Sequence, residues 1–144
     1  MQTSKWGPPV WEFLHTIAYN YPLKPKKQDM LNYKFFYEHL GQMLPCKYCR
    51  QSYQKFNREL PIDPFLDCRE GVVTWIYLIH NKVNHKLRLQ GYPISDDPTL
   101  EEVNEKYENW RAKCGKVPGR SGGTCRIPIR SNRVVNGKRY IVKE

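Results

Sequence analysis

The sequence predicts an all-α fold: a small bundle of five helices, followed by a basic tail that ends in a β-hairpin. Three observations carry this reading. Apolar residues recur at the helical period of about 3.6 through most of residues 8–114. Prolines, glycines and capping residues cut that pattern into five segments. Beyond residue 114 the periodicity stops, glycines become dense and the charge turns strongly positive.

In the first helix Val10, Trp11, Leu14, Ile17, Ala18 and Tyr21 follow the helical period, with Pro8 and Pro9 in the opening turn and Pro22 as the stop. The second spans about Gln28 to Leu44 and is expected to bury Leu31, Phe35, Leu40 and Met43. The third begins at Pro45, a residue favoured at the first helical position. Its stripe is Cys46, Cys49, Tyr53, Phe56 and Leu60, which sets both cysteines on the core-facing side. Asp67 with Glu70 reads as a capping box for the fourth helix. That helix lines up Val72, Ile76, Ile79, His80, Val83, Asn84 and Leu87 on one face and closes at Gly91. Thr99 with Glu102 caps the fifth, whose stripe is Leu100, Val103, Tyr107, Trp110 and Cys114, with the end at Gly115. Gly119, Gly122 and Gly123 then make a pliable link. Residues 133–142 read as a hairpin around the Asn136-Gly137 turn. The boundary falls after residue 114, giving a helical domain over 1–114 and a tail over 115–144.

The chain has 144 residues, 40% hydrophobic and 13% aromatic. That is a folded chain with length for one domain and a real core. No apolar run approaches membrane-spanning length, so no transmembrane helix is expected. Residues 1–8 lack an apolar stretch long enough for a secretory signal. The net charge of +10 is unevenly spread. Residues 1–110 carry 14 Lys and Arg against 13 Asp and Glu, a net of +1; residues 111–144 carry 10 against one, a net of +9. Such a tail is either a solvated, solubilising segment or one drawn to nucleic acid, an acidic protein or an anionic membrane surface. No nucleic-acid motif accompanies it.

Five cysteines stand at 46, 49, 68, 114 and 125. Cys46-Lys47-Tyr48-Cys49 is a C-x-x-C at a helix N-terminus, where free backbone N–H groups and the helix dipole favour a thiolate. A thiolate is the attacking species in disulfide exchange, so the placement suits a redox pair. The rival is half of a zinc site completed by His80 and His85, in a non-enzymatic basic binding module. The intervening 30 residues are far longer than a compact finger uses, and no second C-x-x-C exists. A thioredoxin-like reading needs strands around the motif, and here the neighbours are helices. Trp11 and His15 on helix one, His80, Asn81 and Asn84 on helix four, and Tyr107 and Trp110 on helix five put polar and aromatic groups on apolar faces. Each alone reads as a hydrogen-bonded core residue; together they could hold a planar ring system.

Residues 6–15 (Trp6-Gly7-Pro8-Pro9-Val10-Trp11-Glu12-Phe13-Leu14-His15), Pro45-Cys46-Lys47-Tyr48-Cys49 and residues 80–87 (His80-Asn81-Lys82-Val83-Asn84-His85-Lys86-Leu87) resemble the Erv/ALR family of FAD-linked sulfhydryl oxidases. The motifs occur in family order. The short chain and the missing targeting segment look most like the branch encoded by large DNA viruses, which would imply the host cytoplasm or the virion. The resemblance implies a bundle of four helices plus a short fifth, usually as a homodimer. It implies FAD lined by Trp6, Gly7, Trp11, His15 and Tyr19 from helix one. His80, Asn81, Val83, Asn84, Lys86 and Leu87 would hold the adenosine part and phosphates, with Tyr92 just beyond, and Tyr107 and Trp110 would close the adenine end. Cys49 would face the flavin and Cys46 would receive electrons from dithiol protein substrates, with O2 as final acceptor and hydrogen peroxide as product. The family's structural cysteines beside the helix-four motif are replaced here by Tyr77 and Ser95. A second pair, Cys114 and Cys125, would act as a shuttle on a mobile terminal segment, or else form a static bond, either with each other or as Cys68–Cys114.

Overall fold

The computed structural model describes residues 1–110 and two short strands at 132–135 and 138–141. Five helices appear in the described part: α1 (Thr3–Tyr19), α2 (Lys27–Met43), α3 (Lys47–Glu59), α4 (Arg69–Leu89) and α5 (Leu100–Asn109), with a 3₁₀ turn at Asp63–Phe65 before α4. β1 (Asn132–Val135) and β2 (Lys138–Ile141) pair antiparallel, with Val135 opposite Lys138. That register agrees with a two-residue connection at Asn136-Gly137, which itself lies outside the described residues, as do Cys114 and Cys125. No helix among the described residues is long and apolar enough to cross a membrane.

The core forms around the first half of α4, where every residue from Gly71 to Tyr77 is buried. A helix apolar on all sides must be enclosed on all sides; α1 and α3 supply the enclosure, with the 3₁₀ turn at its base. Large aromatic residues fill this core, and their polar tips find backbone acceptors, as burial requires. The Tyr37 hydroxyl donates to the Leu14 carbonyl at 2.9 Å, tying α2 to α1. The Tyr53 hydroxyl donates to the Tyr37 carbonyl at 3.0 Å, tying α3 to α2. Trp75 Nε1 donates to the Leu60 carbonyl at 2.9 Å, tying α4 to the end of α3. Gly41 lets α2 lie close against α3: a Cβ there would stand 2.9 Å from Tyr53 Cδ1. At the end of α4, Gly91 takes φ of +79°, the left-handed conformation that closes helices.

Several boundaries differ from the sequence reading. Helix α1 starts at Thr3, so Pro8 and Pro9 lie inside it. Their missing N–H groups leave the Ser4 and Lys5 carbonyls without the usual donors, on the exposed early turns where water can serve. Helix α3 starts at Lys47; Cys46 is its N-cap and Pro45 precedes the cap. Cys68 is the N-cap of α4, so Asp67 and Glu70 make no capping box. The Thr99–Glu102 box of α5 is present in both directions. That helix ends at Asn109, and Trp110 is a half-exposed C-cap, not a buried stripe residue.

The largest difference concerns α2. Leu31, Phe35 and Met43 are 51%, 63% and 68% exposed, and only Leu40 of the expected set packs against the core. The buried face is instead Tyr37 and Gly41, with Met30, Tyr33 and Phe36 partly covered. An apolar pattern shows that a face wants covering and does not show what covers it. Here two faces of α2 are apolar, and this chain covers one.

Candidate active site

Between the first half of α1, the start of α3 and the second half of α4 lies a cavity of about 900 Å³, within the range of sites for small molecules and cofactors. α1 lines it with Thr3, Ser4, Trp6, Gly7 and Trp11. α4 contributes His80, Val83, Asn84, Lys86 and Leu87, and the segment beyond contributes Gln90, Tyr92 and Ile94. α5 closes one side with Lys106 and Tyr107. Cys46 and Cys49 are in the wall.

The cysteines differ. Cys46 accepts a hydrogen bond from the Cys49 backbone N–H at 3.3 Å, as an N-cap side chain does. The Cys49 thiol, the N–H groups of Cys49 and Tyr48, and the Lys86 ammonium hold Cys46 below the ordinary thiol range, against a smaller opposing effect of burial. Cys49 goes the other way: burial first, and then the neighbouring Cys46, push its thiol up to about 11, with Thr3 and Lys86 pulling against them. Burial leads at Cys49 and ranks behind hydrogen bonding at Cys46, so Cys46 is the sulfur nearer solvent. Of the two thiols in the reduced pair, Cys46 is the one that gives up its proton first. The helix N-terminus does favour a thiolate, and it favours it at the capping cysteine.

A ladder of rings backs the cavity. Trp11 stacks on His80 with centroids 4.0 Å apart and planes 10° from parallel. His15 Nε2 meets His80 Nδ1 at 3.1 Å. His15 also stacks on Tyr107, which stacks in turn on Tyr19. Burial, then His80 and Lys106, lower the His15 imidazole to about 3; burial, then Lys106, lowers His80 to about 4 against the pull of Asp97. Both rings are neutral at physiological pH. Among the described residues the buried Trp6 Nε1 and His15 Nδ1 have no hydrogen-bond partner.

The segment after α4 is strapped down by polar contacts. Asn84 Nδ2 donates to Asp97 at 2.8 Å, and Arg88 makes a two-pronged ion pair with the same carboxylate at 2.6 and 3.2 Å. Arg88 also donates to the Ser95 carbonyl, and the Tyr77 hydroxyl to that of Pro98, both at 2.9 Å. The hydrogen bonds from Arg88 and Asn84 outweigh burial and hold Asp97 below the usual carboxylate range. Tyr77 and Ser95 thus take part in joining α4 to this segment without a sulfur bridge between them.

A model of the Erv1/Alr family matches residues 8–110. The chain belongs to the Erv1/Alr family. It is 37% identical over 116 residues to "Probable FAD-linked sulfhydryl oxidase R368" of Acanthamoeba polyphaga mimivirus, covering 76% of this chain and 81% of that protein. It is 35% identical over 82 residues to the mitochondrial FAD-linked sulfhydryl oxidase ERV1 of Saccharomyces cerevisiae, covering 57% of this chain and 42% of the yeast protein. The chain thus spans most of the viral relative's length and less than half of the yeast one's. Among solved structures, the FAD-binding domain of yeast Erv1 superposes with a TM-score of 0.65 at 28% identity, over 78% of this chain and 99% of that one. The yeast Erv1 core gives the same TM-score and identity over 88% of its length.

Of the residues singled out from sequence, Trp6, Gly7, Trp11, His80, Val83, Asn84, Lys86, Leu87, Tyr92 and Tyr107 line the cavity with Cys46 and Cys49. Four are not on its lining. His15 and Tyr19 are buried behind the wall, and Tyr19 reaches Asn104 at 3.4 Å. Asn81 lies one turn after Tyr77 on α4 and acts on its hydroxyl, not on the cavity. Trp110 packs edge-on against Tyr107, half exposed. The lining also holds Thr3, Ser4, Ser52, Gln90 and Lys106, which no motif marked. The signal that could have found Ser52 is its spacing, one helical turn after Cys49 on the same face. Among the described residues no group of three or more His, Cys, Asp or Glu could hold a metal. The zinc reading therefore has no ligand set there.

Proposed function

We propose that the chain is an FAD-linked thiol oxidase that forms disulfides in protein dithiols, with Cys46 and Cys49 as the redox pair. The observation that carries this is a C-x-x-C pair with split thiol acidities in the wall of an aromatic, cofactor-sized cavity. The residues present suit FAD. Trp6, Trp11, His80, Tyr92 and Tyr107 offer ring faces and edges, Lys106 offers positive charge for a diphosphate, and the buried Trp6 Nε1 is a donor awaiting an acceptor. His15 and Tyr19 support that wall from behind.

A substrate thiolate attacks Cys46 Sγ of the Cys46–Cys49 disulfide, forming a mixed disulfide and releasing Cys49. The second substrate thiol then displaces Cys46, so the substrate loses two electrons and two protons and the pair gains them. Bound FAD would supply the two-electron chemistry that links the reduced cysteine pair to O2, with hydrogen peroxide as the product. The chain's part is to hold Cys49 inside the cavity and Cys46 toward solvent.

Residues 1–114 form the oxidase domain in this reading and 115–144 a basic tail. The exposed stripe of Leu31, Phe35 and Met43 on α2, with Phe13 of α1 at 58% exposure, supports a homodimer through that face. The test is direct. Protein expressed with ample riboflavin should be yellow, and heating should release about one FAD, not FMN, per chain. Well-folded protein without flavin would end the proposal.

A further inference from the structure

Three lysines reach across the helices around the cavity, and their partners differ. Lys106 pairs with Glu12 at 3.0 Å and Lys82 with Glu59 at 2.8 Å, so each of these charges has a carboxylate beside it. Lys86 has no carboxylate partner among the described residues. Its ammonium donates instead to the Ser52 hydroxyl, at 2.7 Å. Ser52 spends its own proton on the Tyr48 carbonyl at 2.9 Å, which fixes the hydroxyl and turns its oxygen into an acceptor. Tyr48 lies inside the C-x-x-C, and Ser52 follows Cys49 by one turn of α3. The anchor is therefore neutral, and it grips the charge beside the cysteines without neutralising it.

We infer that Ser52 is a positioning residue of the thiol site, holding the Lys86 ammonium on the cysteine side of the cavity so that its full charge acts on Cys46 and Cys49. A lysine side chain left alone samples many rotamers, and the Ser52 bond selects one. The other groups facing the sulfurs are few. α1 presents the Thr3 hydroxyl to Cys49, and α3 presents the backbone N–H groups of Tyr48 and Cys49 to Cys46. Leu40 and Leu44 from the end of α2 are apolar. Two other cations are neighbours in sequence: Lys47, between the two cysteines, is exposed, and Arg50, directly after Cys49, donates to the Leu44 carbonyl at 2.6 Å. Lys86 is the charged side chain that acts on both thiols, lowering each. Its effect stabilises the Cys46 thiolate of the reduced pair, and it stabilises Cys49 when that sulfur leaves during exchange.

The inference rests on the oxidase reading for its purpose and can be tested apart from it. Full-length holoprotein is reduced, and the rate of Cys46 alkylation by iodoacetamide is followed against pH by mass spectrometry. Ser52→Ala should move the thiolate titration to higher pH and slow alkylation at neutral pH about 2- to 5-fold, the size expected for one charge released near a solvent-exposed partner. Ser52→Thr, which keeps the hydroxyl, should behave as wild type. Lys86→Met should show at least the same shift, and adding Ser52→Ala to it should change nothing more. A wild-type titration in Ser52→Ala, or an undiminished Ser52→Ala effect in the Lys86→Met background, would overturn the inference. Dithiothreitol-dependent oxygen uptake is read on the same samples. If wild type takes up no oxygen the oxidase reading fails, while the alkylation series still decides the role of Ser52.

Discussion

The two halves of helix α4 carry opposite instructions. From Gly71 to Tyr77 the helix is buried on every side, and the polar tips of its two large rings, Trp75 Nε1 and the Tyr77 hydroxyl, are satisfied by the Leu60 and Pro98 carbonyls. From His80 to Leu87 it is half-buried except at His85, and His80, Asn84, Lys82 and Lys86 have side-chain partners on α1, the segment before α5 and α3. The first half fixes where the helices stand. The second hangs a set of polar and cationic groups from that frame along one wall of a cavity. One continuous helix thus joins the most rigidly determined part of the molecule to its chemistry, and the two halves should respond differently to substitution.

Trp75→Ala should have the largest effect. Removing a fully buried indole and its hydrogen bond is expected to cost about 3–5 kcal/mol, seen as a lower urea midpoint. The loss should be equal with and without flavin, since it belongs to the frame. A loss confined to the flavin-bound form would place Trp75 with the wall instead.

Acid should act next, and through the wall. An unfolded chain takes up protons on His15 and His80 as pH falls below 6.5, whereas the folded chain holds both rings neutral down to about 3 and about 4. The unfolded state then binds more protons, so stability falls as pH drops from about 6.5 toward 4, by a few kcal/mol on the order of the linkage involved. Denaturation midpoints for wild type and His15→Phe across that window test the assignment. An equal slope in the two would show that His15 contributes nothing to it.

His80→Ala and Asn84→Ala should have the smallest effect on the bare fold, about 1–2 kcal/mol from lost hydrogen bonds, and a clear one on flavin. Both should release FAD on dilution, and their melting deficit should shrink when flavin is stripped from wild type, because ligand binding stabilises the native state by linkage. Full flavin content and wild-type melting in both variants would return these residues to the frame.

The sequence was informative wherever a local rule decides. The capping box at Thr99 and Glu102, the C-x-x-C at a helix start, the glycine closing α4 and the helix count are all set by nearest neighbours along the chain. It was less informative where a decision depends on something across space. Leu31, Phe35 and Met43 have the spacing of a buried stripe, and nothing in that spacing says whether this chain covers it. Pro8 and Pro9 read as a helix start, which hid the earlier turn that brings Thr3 and Ser4 to the cavity. Asp67 and Glu70 had the letters of a cap, but the chain turns one residue later, at Cys68. Ser52 and Lys106 belong to no motif, and only the packing of α3 and α5 against the cavity brings them in.

The central claim is that electrons leave substrate thiols through Cys46 and Cys49, with Cys49 the inner sulfur. Oxygen uptake driven by dithiothreitol, measured on flavin-loaded Cys49→Ser beside wild type, tests it most directly. The account predicts that the variant keeps its FAD and its fold while oxygen uptake is abolished. Near-normal oxygen consumption by the flavin-bound variant would contradict it.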